Sequence, residues 1–233
     1  MSKKLYIEFI FLISLGIATS LSLPPFNYLI INFFTFALFF IFLIRKFSSQ
    51  KNKNFFFLYG WLFGFGYFIS NLYWISISLT FDQSFKFLIP LTIFLIPAFL
   101  AIFYGLISYF LIILKPKKIV SSFLVFSLIF GLIEFIRGSI LTGFPWNLIA
   151  YSFSNQLEII SITSIIGTYG FNLFCISLFT SPSIIILRDN KKEISVCIAL
   201  LITTMSFYIF GAQNLEKFKN EQKKDLDYKI RLI

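Results

Sequence analysis

The stretch that decides the fold is FKFLIPLTIFLIPAFLAIFYGLISYFLIIL, residues 85–114, in which no residue from 87 onward is charged. An uninterrupted apolar run of about 20 residues is long enough to cross the ~30 Å hydrocarbon core of a membrane as an α-helix. We therefore predict a transmembrane helix over residues 87–114. It should be tilted or kinked, because it is long and contains Pro90 and Pro97.

The rest of the chain has the same apolar character. Of its 233 residues, 58% are hydrophobic and 13% are charged, whereas soluble domains carry about 25% charged residues. No soluble core of this size could bury so much apolar surface. We predict an all-α polytopic membrane protein, a bundle of about seven transmembrane helices. The seven apolar segments are residues 5–23, 27–44, 55–80, 87–114, 119–141, 157–187 and 194–212.

The net charge of +10 comes largely from Lys and Arg residues between the apolar segments. They lie at the N-terminus and near residues 45, 115 and 190, while the loops on the opposite side carry essentially only Lys86. This alternation is typical of the positive-inside pattern of membrane proteins, and we expect no nucleic-acid partner. It predicts a cytoplasmic N-terminus and a C-terminal tail on the opposite, trans side.

The residue types present restrict the possible chemistry. The chain has no His, which excludes catalysis by a His base and metal sites built on His. Cys175 and Cys197 lie inside apolar segments, where Cys usually behaves as a small buried hydrophobic residue and not as a nucleophile. We expect no metal, no cofactor and no catalytic residue in this chain.

The polar groups concentrate in EFIRGSILTGFPWNLIAY, residues 134–151. Glu134 and Arg137 are three positions apart and therefore share a helix face, where they can pair. A charge at the middle of a bilayer costs about 2.5–3.5 kcal/mol on insertion scales, so two charges here need a reason. One interpretation is an ion pair that ties helices together. The other is a polar site for a lipid headgroup or for docking a soluble part, because Arg binds phosphate well.

The segment Gly143, Phe144, Pro145 and Trp146 cannot continue a regular helix. It is either a helix end with an interfacial Trp or a non-helical loop at membrane depth, which must be buried in protein or line a cavity. On the same predicted side lies a second polar and aromatic group, which is either part of an aromatic belt or part of a lipid site. Its members are Asn71, Tyr73 and Trp74.

Two further patterns concern packing and domain organisation. Gly60 and Gly64 have the GxxxG spacing that lets two helices approach closely in lipid. After a membrane domain over residues 1–212, residues 213–226 are polar and predict a linker. Residues 227–233 include YKIRLI, whose alternation predicts a β-strand. A lone strand is unstable, so we expect the chain to be truncated at the start of a second domain.

Several local patterns, in the same order, resemble the apolipoprotein N-acyltransferases of the Gram-negative inner membrane. They are a Pro-Pro-Phe motif after the first span, a Gly-rich span ending in Leu-Tyr-Trp, a Glu-x-x-Arg-Gly and Thr-Gly-Phe-Pro-Trp signature, a Gly-x-Tyr-Gly span, and the first strand of a nitrilase-like domain. Here they occupy residues 21–28, 60–79, 134–152, 165–174 and 228–233.

The resemblance implies transfer of an acyl chain from a phospholipid donor to the N-terminal diacylglyceryl-cysteine of a lipoprotein acceptor. In the family this occurs through a thioester on the Cys of a Glu-Lys-Cys triad, in a periplasmic nitrilase-like α/β domain. No residue of this chain matches the triad, so the resemblance implies the family function for the parent protein and an inactive membrane domain here. We expect a multi-pass, monomeric inner-membrane protein with a periplasmic linker.

By the same resemblance, one set of residues would face lipid substrates and a second would support it. Glu134 and Arg137 would brace the loop from below as a supporting ion pair. The lipid-facing candidates are Asn71, Tyr73, Trp74, Phe144, Pro145 and Trp146. The alternative is a small transporter or channel subunit, complete as it stands. That alternative would favour internal repeats and polar groups at the bilayer midplane, whereas the polar residues cluster toward one side.

Overall fold

A computed structural model of the protein describes residues 3–49, 52–140, 143 and 145–220. The described part is a bundle of α-helices joined by short turns and 3-10 segments. The α-helices are α1 Lys3–Ser20, α2 Ile30–Ser49, α3 Lys53–Leu72, α4 Ile89–Leu114, α5 Ile119–Ser139, α6 Leu157–Ile160, α7 Thr163–Thr180, α8 Pro182–Leu187 and α9 Ile194–Asn220. The 3-10 segments are Tyr73–Thr80, Gln83–Leu88, Ile149–Phe153 and Lys191–Glu193.

Within the described ranges, six helical segments are long and apolar enough to cross a membrane. They are Ile30–Ser49, Lys53–Thr80, Gln83–Leu114, Ile119–Ser139, Thr163–Leu187 and Lys191–Asn220. The expectation of a multi-spanning all-helical protein is confirmed. The expected first span coincides with α1, which carries Lys3, Lys4 and Glu8 within its 18 residues and is not among the six. A seventh span therefore stays a prediction.

Helix α3 lies at the centre of the bundle, between α1 and α4. A side chain at Gly60 would overlap the backbone carbonyl of Tyr104 in α4, and one at Gly64 would meet the Tyr104 side chain. On the α1 side, Gly16 and Gly66 allow the two backbones to touch in the same way. These contacts confirm the close approach predicted from the GxxxG spacing. They stabilise the bundle because dispersion between closely packed helices drives helix association in lipid.

Aromatic rings fill the space around this backbone contact. Tyr104 is buried and its ring lies near four others, which are those of Phe63, Tyr67, Phe68 and Phe130. Phe39 of α2 stacks on Phe63 with centroids 4.2 Å apart. Such ring pairs contribute about 0.5–1.5 kcal/mol beyond the apolar area that they bury. The aromatic core thus fixes α2, α3, α4 and α5 against one another.

The third candidate span runs to Thr80, as the sequence predicted, but its α-helical part ends at Leu72. The Ser70 hydroxyl and the Asn71 amide donate to carbonyls of the preceding turn, those of Gly66 and Tyr67. Side-chain bonds of this kind compete with the backbone ladder and bend helices. The chain continues as the 3-10 segment Tyr73–Thr80, which carries Tyr73 and Trp74 at the end of the bundle where α5 also ends.

The expected sixth span, residues 157–187, is not one helix. The short helix α6 covers Leu157–Ile160, and the apolar candidate span begins only at Thr163. Gly167 then interrupts α7 with φ 71° and ψ 165°. Residues other than Gly rarely adopt this left-handed region, so Gly167 permits the kink that it introduces in α7. The apolar composition of a segment does not by itself predict where its helix breaks.

Helix α9 extends beyond the membrane domain predicted for residues 1–212, because it continues to Asn220. Part of the predicted linker, residues 213–226, is therefore helical. The remainder of that linker and the predicted strand at residues 227–233 lie outside the described residues. The boundary at residue 212 stays a prediction.

The contact between α3 and α4 can be tested with Gly60→Ala. The added methyl group must push against the Tyr104 carbonyl, and overpacking of this kind costs about 1–3 kcal/mol. We expect a lower midpoint of thermal unfolding for the protein in detergent. Gly170→Ala is the matched control, because a methyl group there meets only Ile166 at 3.5 Å and Ala favours helix. An equal loss in both variants would contradict the packing argument.

Candidate functional site

Glu134 and Arg137 form a buried ion pair near the end of α5. Their exposed fractions are 0% and 1%. The Arg137 Nε donates to Glu134 Oε1 over 3.1 Å, and Nη2 donates to Oε2 over 2.6 Å. The guanidinium also lies 5.3 Å from the centre of the Phe68 ring. A bidentate pair with both carboxylate oxygens engaged is the arrangement in which two buried charges best compensate each other.

The pair also holds the loop that follows α5. Arg137 Nη1 donates to the backbone carbonyl of Trp146 over 3.1 Å. The hydroxyl of Tyr67, from α3, donates to the next carbonyl, that of Asn147, over 2.8 Å. Asn147 has φ 57°, a left-handed conformation that Asn tolerates better than most residues. Two buried side chains from different helices therefore fix consecutive peptide groups of this loop.

A third carbonyl of the loop also accepts a hydrogen bond from a side chain. The Tyr151 hydroxyl donates to the Pro145 carbonyl over 3.1 Å. Burial raises the pKa of the Tyr151 phenol above its ordinary value, so the hydroxyl stays protonated and able to donate at neutral pH. Just beyond, Asn172 Oδ1 accepts from the backbone N–H of Ala150 over 2.9 Å. Residues 145–148 are thus anchored non-helical backbone that leads into the 3-10 segment Ile149–Phe153.

The anchored loop presents Trp146 to Trp74. Their ring centroids are 5.3 Å apart and the planes differ by 18°, so the two indoles are stacked. The exposed fractions are 47% for Trp146 and 45% for Trp74, and each ring keeps an open face or edge. The stack joins the 3-10 segment after α3 to the loop after α5.

A cavity of about 400 Å³ adjoins Trp74, and we call it the polar cavity because its mixed lining holds more polar groups than that of the neighbouring groove. In it the Asn71 amide offers a second N–H donor and an acceptor, and the hydroxyl oxygens of Ser70 and Tyr151 offer acceptors. The turn between α1 and α2 forms the opposite wall. The lining residues are Ser20, Leu23, Pro24, Pro25, Phe26, Ser70, Asn71, Tyr73, Trp74, Asn147, Tyr151 and Ser154.

An apolar groove of about 600 Å³ lies next to it. Trp74 borders both spaces, and Trp146 lines the groove. The remaining lining residues are Ile75, Ile77, Ser78, Phe81 and Ile96. Two adjoining spaces that share Trp74, one with polar groups and one apolar, can hold a molecule with one polar and one apolar part.

The described residues offer no metal centre and no reactive thiol. No group of three His, Cys, Asp or Glu side chains comes together in ranges 3–49, 52–140 and 145–220. Both Cys175 and Cys197 are buried, and the Cys197 thiol lies 3.3 Å from the Ser181 carbonyl.

The structure brings together residues that the sequence predicted separately. Asn71, Tyr73 and Trp74 line the polar cavity, and Trp146 meets them through the ring stack. Pro145 contributes its carbonyl to the anchored loop. Phe144 lies outside the described residues. The described residues of the GFPW segment, Gly143, Pro145 and Trp146, are not helical. Whether the segment is a helix end with an interfacial Trp or part of a lipid site stays a prediction.

Sequence reasoning missed the side chains that support the loop from other elements. Tyr67, Tyr151 and Asn172 each bond to its backbone. Asn172 could have been found, because a polar residue inside an apolar span is functional or structural by default. Tyr67 and Tyr151 carry no comparable signal in a chain with 11 Tyr and 35 Phe.

Removing one partner of the ion pair should destabilise the protein strongly. In Glu134→Gln the Arg137 charge stays buried without its counter-charge, which costs about 3–5 kcal/mol. We expect a large fall in the thermal midpoint in detergent, measured by circular dichroism.

The double variant Glu134→Gln with Arg137→Met is the control for that prediction. It removes both charges, and replacing a buried pair by neutral groups is often close to neutral. We expect the double variant to be more stable than Glu134→Gln alone. If the two variants lose the same stability, the compensation between the two charges is not the source of the effect.

Comparison with known proteins identifies the family of the chain. The sequence pattern of the apolipoprotein N-acyltransferase N-terminal domain matches residues 15–180. The chain is 32% identical over 203 residues to an apolipoprotein N-acyltransferase of Rhizobium rhizogenes, covering 84% of this chain and 38% of that protein. It is 33% identical over 221 residues to that of Rickettsia typhi, covering 94% and 42%. The chain spans about two fifths of the length of these relatives. It belongs to the apolipoprotein N-acyltransferase family, whose N-terminal domain it contains.

Proposed function

We propose that this chain is the lipid-binding membrane domain of an apolipoprotein N-acyltransferase. The enzyme would transfer an acyl chain from a phospholipid to the amino group of the N-terminal diacylglyceryl-cysteine of a lipoprotein. The observation that carries the proposal is the Trp74–Trp146 stack, in which Trp74 lines both the polar cavity and the apolar groove and Trp146 lines the groove.

The two spaces match the two parts of a phospholipid. A headgroup needs donors and acceptors, which Ser70, Asn71 and Tyr151 supply in the polar cavity. An acyl chain needs apolar walls, which Ile75, Ile77 and the two indoles supply in the groove. Trp favours the depth at which headgroup and hydrocarbon meet. In this proposal the stack sits at the boundary between the two parts of the bound lipid.

We place the reacting nucleophile outside this chain. Cys175 and Cys197 are buried, and a thiol needs an accessible, electropositive setting to react. Glu134 and Arg137 pair with each other beneath the loop, so we assign them a positioning role. The covalent step would belong to a nitrilase-like domain with a Glu-Lys-Cys triad, since splitting acyl transfer into two steps through a thioester makes each step easier.

The same proposal includes a topology. We place the N-terminus in the cytoplasm of a bacterial cell, α1 as the first of seven spans of the inner membrane, and the Trp74–Trp146 end at the periplasmic surface. Residues 213–226 would lead to the catalytic domain and residues 227–233 would begin it. The basic character of the loops near residues 45, 115 and 190 supports this orientation. The expected oligomeric state is a monomer.

The test is acyl transfer by a chimaera that joins this chain to the remaining part of the Rickettsia typhi relative. The assay follows transfer from a phospholipid to a diacylated lipopeptide with an N-terminal Cys. We expect Trp74→Ala and Trp146→Ala to lower the initial rate about tenfold. A tenfold change is about 1.4 kcal/mol, and an aromatic pair contributes about 0.5–1.5 kcal/mol beyond its buried area.

Phe94→Ala is the matched control, because Phe94 is a half-exposed aromatic residue of α4 that borders neither space. Its rate should equal that of the unchanged chimaera. Full activity of both Trp variants would remove the stack from the lipid site. An unchanged chimaera that is folded but transfers no acyl chain would count against the assignment of this domain to the reaction.

A further inference from the structure

A second concave surface lies between α1 and α2, at the end of the bundle where α1 begins and α2 ends. This groove has a volume of about 490 Å³. It is distinct from the polar cavity and the apolar groove described above and shares no residue with them. Its lining residues are Lys4, Glu8, Phe11, Leu38, Ile41, Phe42, Arg45, Lys46 and Ser49.

One cation of this groove is neutralised and fixed. Lys46 Nζ lies 2.6 Å from Glu8 Oε1. It also lies 5.4 Å from the centre of the Phe42 ring and 5.8 Å from that of Tyr59. Glu8 is the sole acid among the lining residues, and it is engaged by Lys46. The contact joins α1 to α2 and holds the two walls of the groove together.

Two further cations remain available. Lys4 and Arg45 are exposed, and neither forms an ion pair within the residues that the structure describes. With three basic and one acidic side chain, the groove carries a net charge of +2. It therefore attracts an anion at the end where Lys4, Arg45 and Ser49 lie.

The other part of the groove is apolar. Phe11 of α1 and Phe42 of α2 face each other with ring centroids 6.0 Å apart. Leu38 and Ile41 continue this wall along α2, away from the charged end. A surface with cations at the end of two helices and apolar walls along their length complements a phosphate group joined to acyl chains, whereas a free anion would need no such walls.

We propose that the α1–α2 groove binds an acidic phospholipid, with the phosphate at Lys4 and Arg45 and an acyl chain along Phe11, Leu38 and Phe42. Basic pockets between membrane helices are known to bind acidic headgroups. Basic residues at span ends also determine orientation in the membrane. That role accounts for the presence of charge but not for its position at one end of an apolar groove. The site is independent of the acyltransferase function proposed above.

The test measures lipid bound to the purified 233-residue chain in detergent by native mass spectrometry, where membrane orientation plays no part. The probes are phosphatidylglycerol and phosphatidylcholine, each titrated alone. We expect the unchanged chain to retain phosphatidylglycerol in preference to phosphatidylcholine. The double variant Lys4→Gln with Arg45→Gln should weaken phosphatidylglycerol binding by roughly tenfold or more, since each basic residue near an acidic lipid surface contributes measurably.

Two matched variants distinguish the groove from charge in general. Lys117→Gln with Lys118→Gln removes the same charge from the loop between α4 and α5 and should leave binding unchanged. Leu38→Trp fills the apolar wall and keeps every charge, so it should weaken phosphatidylglycerol binding as well. A thermal midpoint equal to that of the unchanged chain verifies folding of each variant.

Several results would overturn the proposal. One is equal binding of the two lipids by the unchanged chain. Another is an equal loss in the Lys117 and Lys118 variant, which would indicate attraction by net charge alone. Displacement of the lipid by millimolar inorganic phosphate, with no effect of Leu38→Trp, would show a site for a free anion instead of a lipid.

Discussion

The buried guanidinium of Arg137 is the constraint on which the rest of this structure depends. Its charge persists at any physiological pH, so burial at 1% exposure requires partners for its donors. Glu134 supplies two acceptors and the Trp146 carbonyl a third. Since the carboxylate and the guanidinium belong to α5, the third bond fixes the following loop to that helix. An Arg without this loop would keep an unsatisfied donor at low dielectric, which is costly.

The central glycines of α3 make this arrangement possible at the level of the bundle. Gly60 and Gly64 let α4 approach α3 closely, so that Tyr104 packs among the core rings. Gly66 lets the backbone of α1 approach α3 as closely. Tyr67, one position after Gly66, then reaches the Asn147 carbonyl. Helix α3 therefore takes part both in the packing of the bundle and in anchoring the loop after α5. These two sets of contacts together determine the positions of Trp74 and Trp146.

The sequence predicted much of the fold, because membrane spans are determined by long apolar runs that are local properties of the chain. The bounds of α4 and α5 agree with prediction to within two residues, and those of α2 to within five. The break between α6 and α7 was missed, since residues 157–187 are apolar on both sides of it. Within the site, Glu134 and Arg137 could be paired by their spacing alone. The meeting of Trp74 with Trp146, and the bonds from Tyr67 and Tyr151, depend on contacts between distant segments that no local pattern encodes.

The stacked indoles of Trp74 and Trp146 also have an optical consequence. Two indoles with ring centroids 5.3 Å apart share their electronic excitation, and a twist between their transition dipoles splits the circular dichroism band into components of opposite sign. The third Trp, Trp61, stacks on Phe65 instead and lacks such a partner indole. The protein therefore contains a built-in spectroscopic reporter at the boundary between its polar cavity and its apolar groove. Any molecule that parts the two rings changes that band without the need for an attached label.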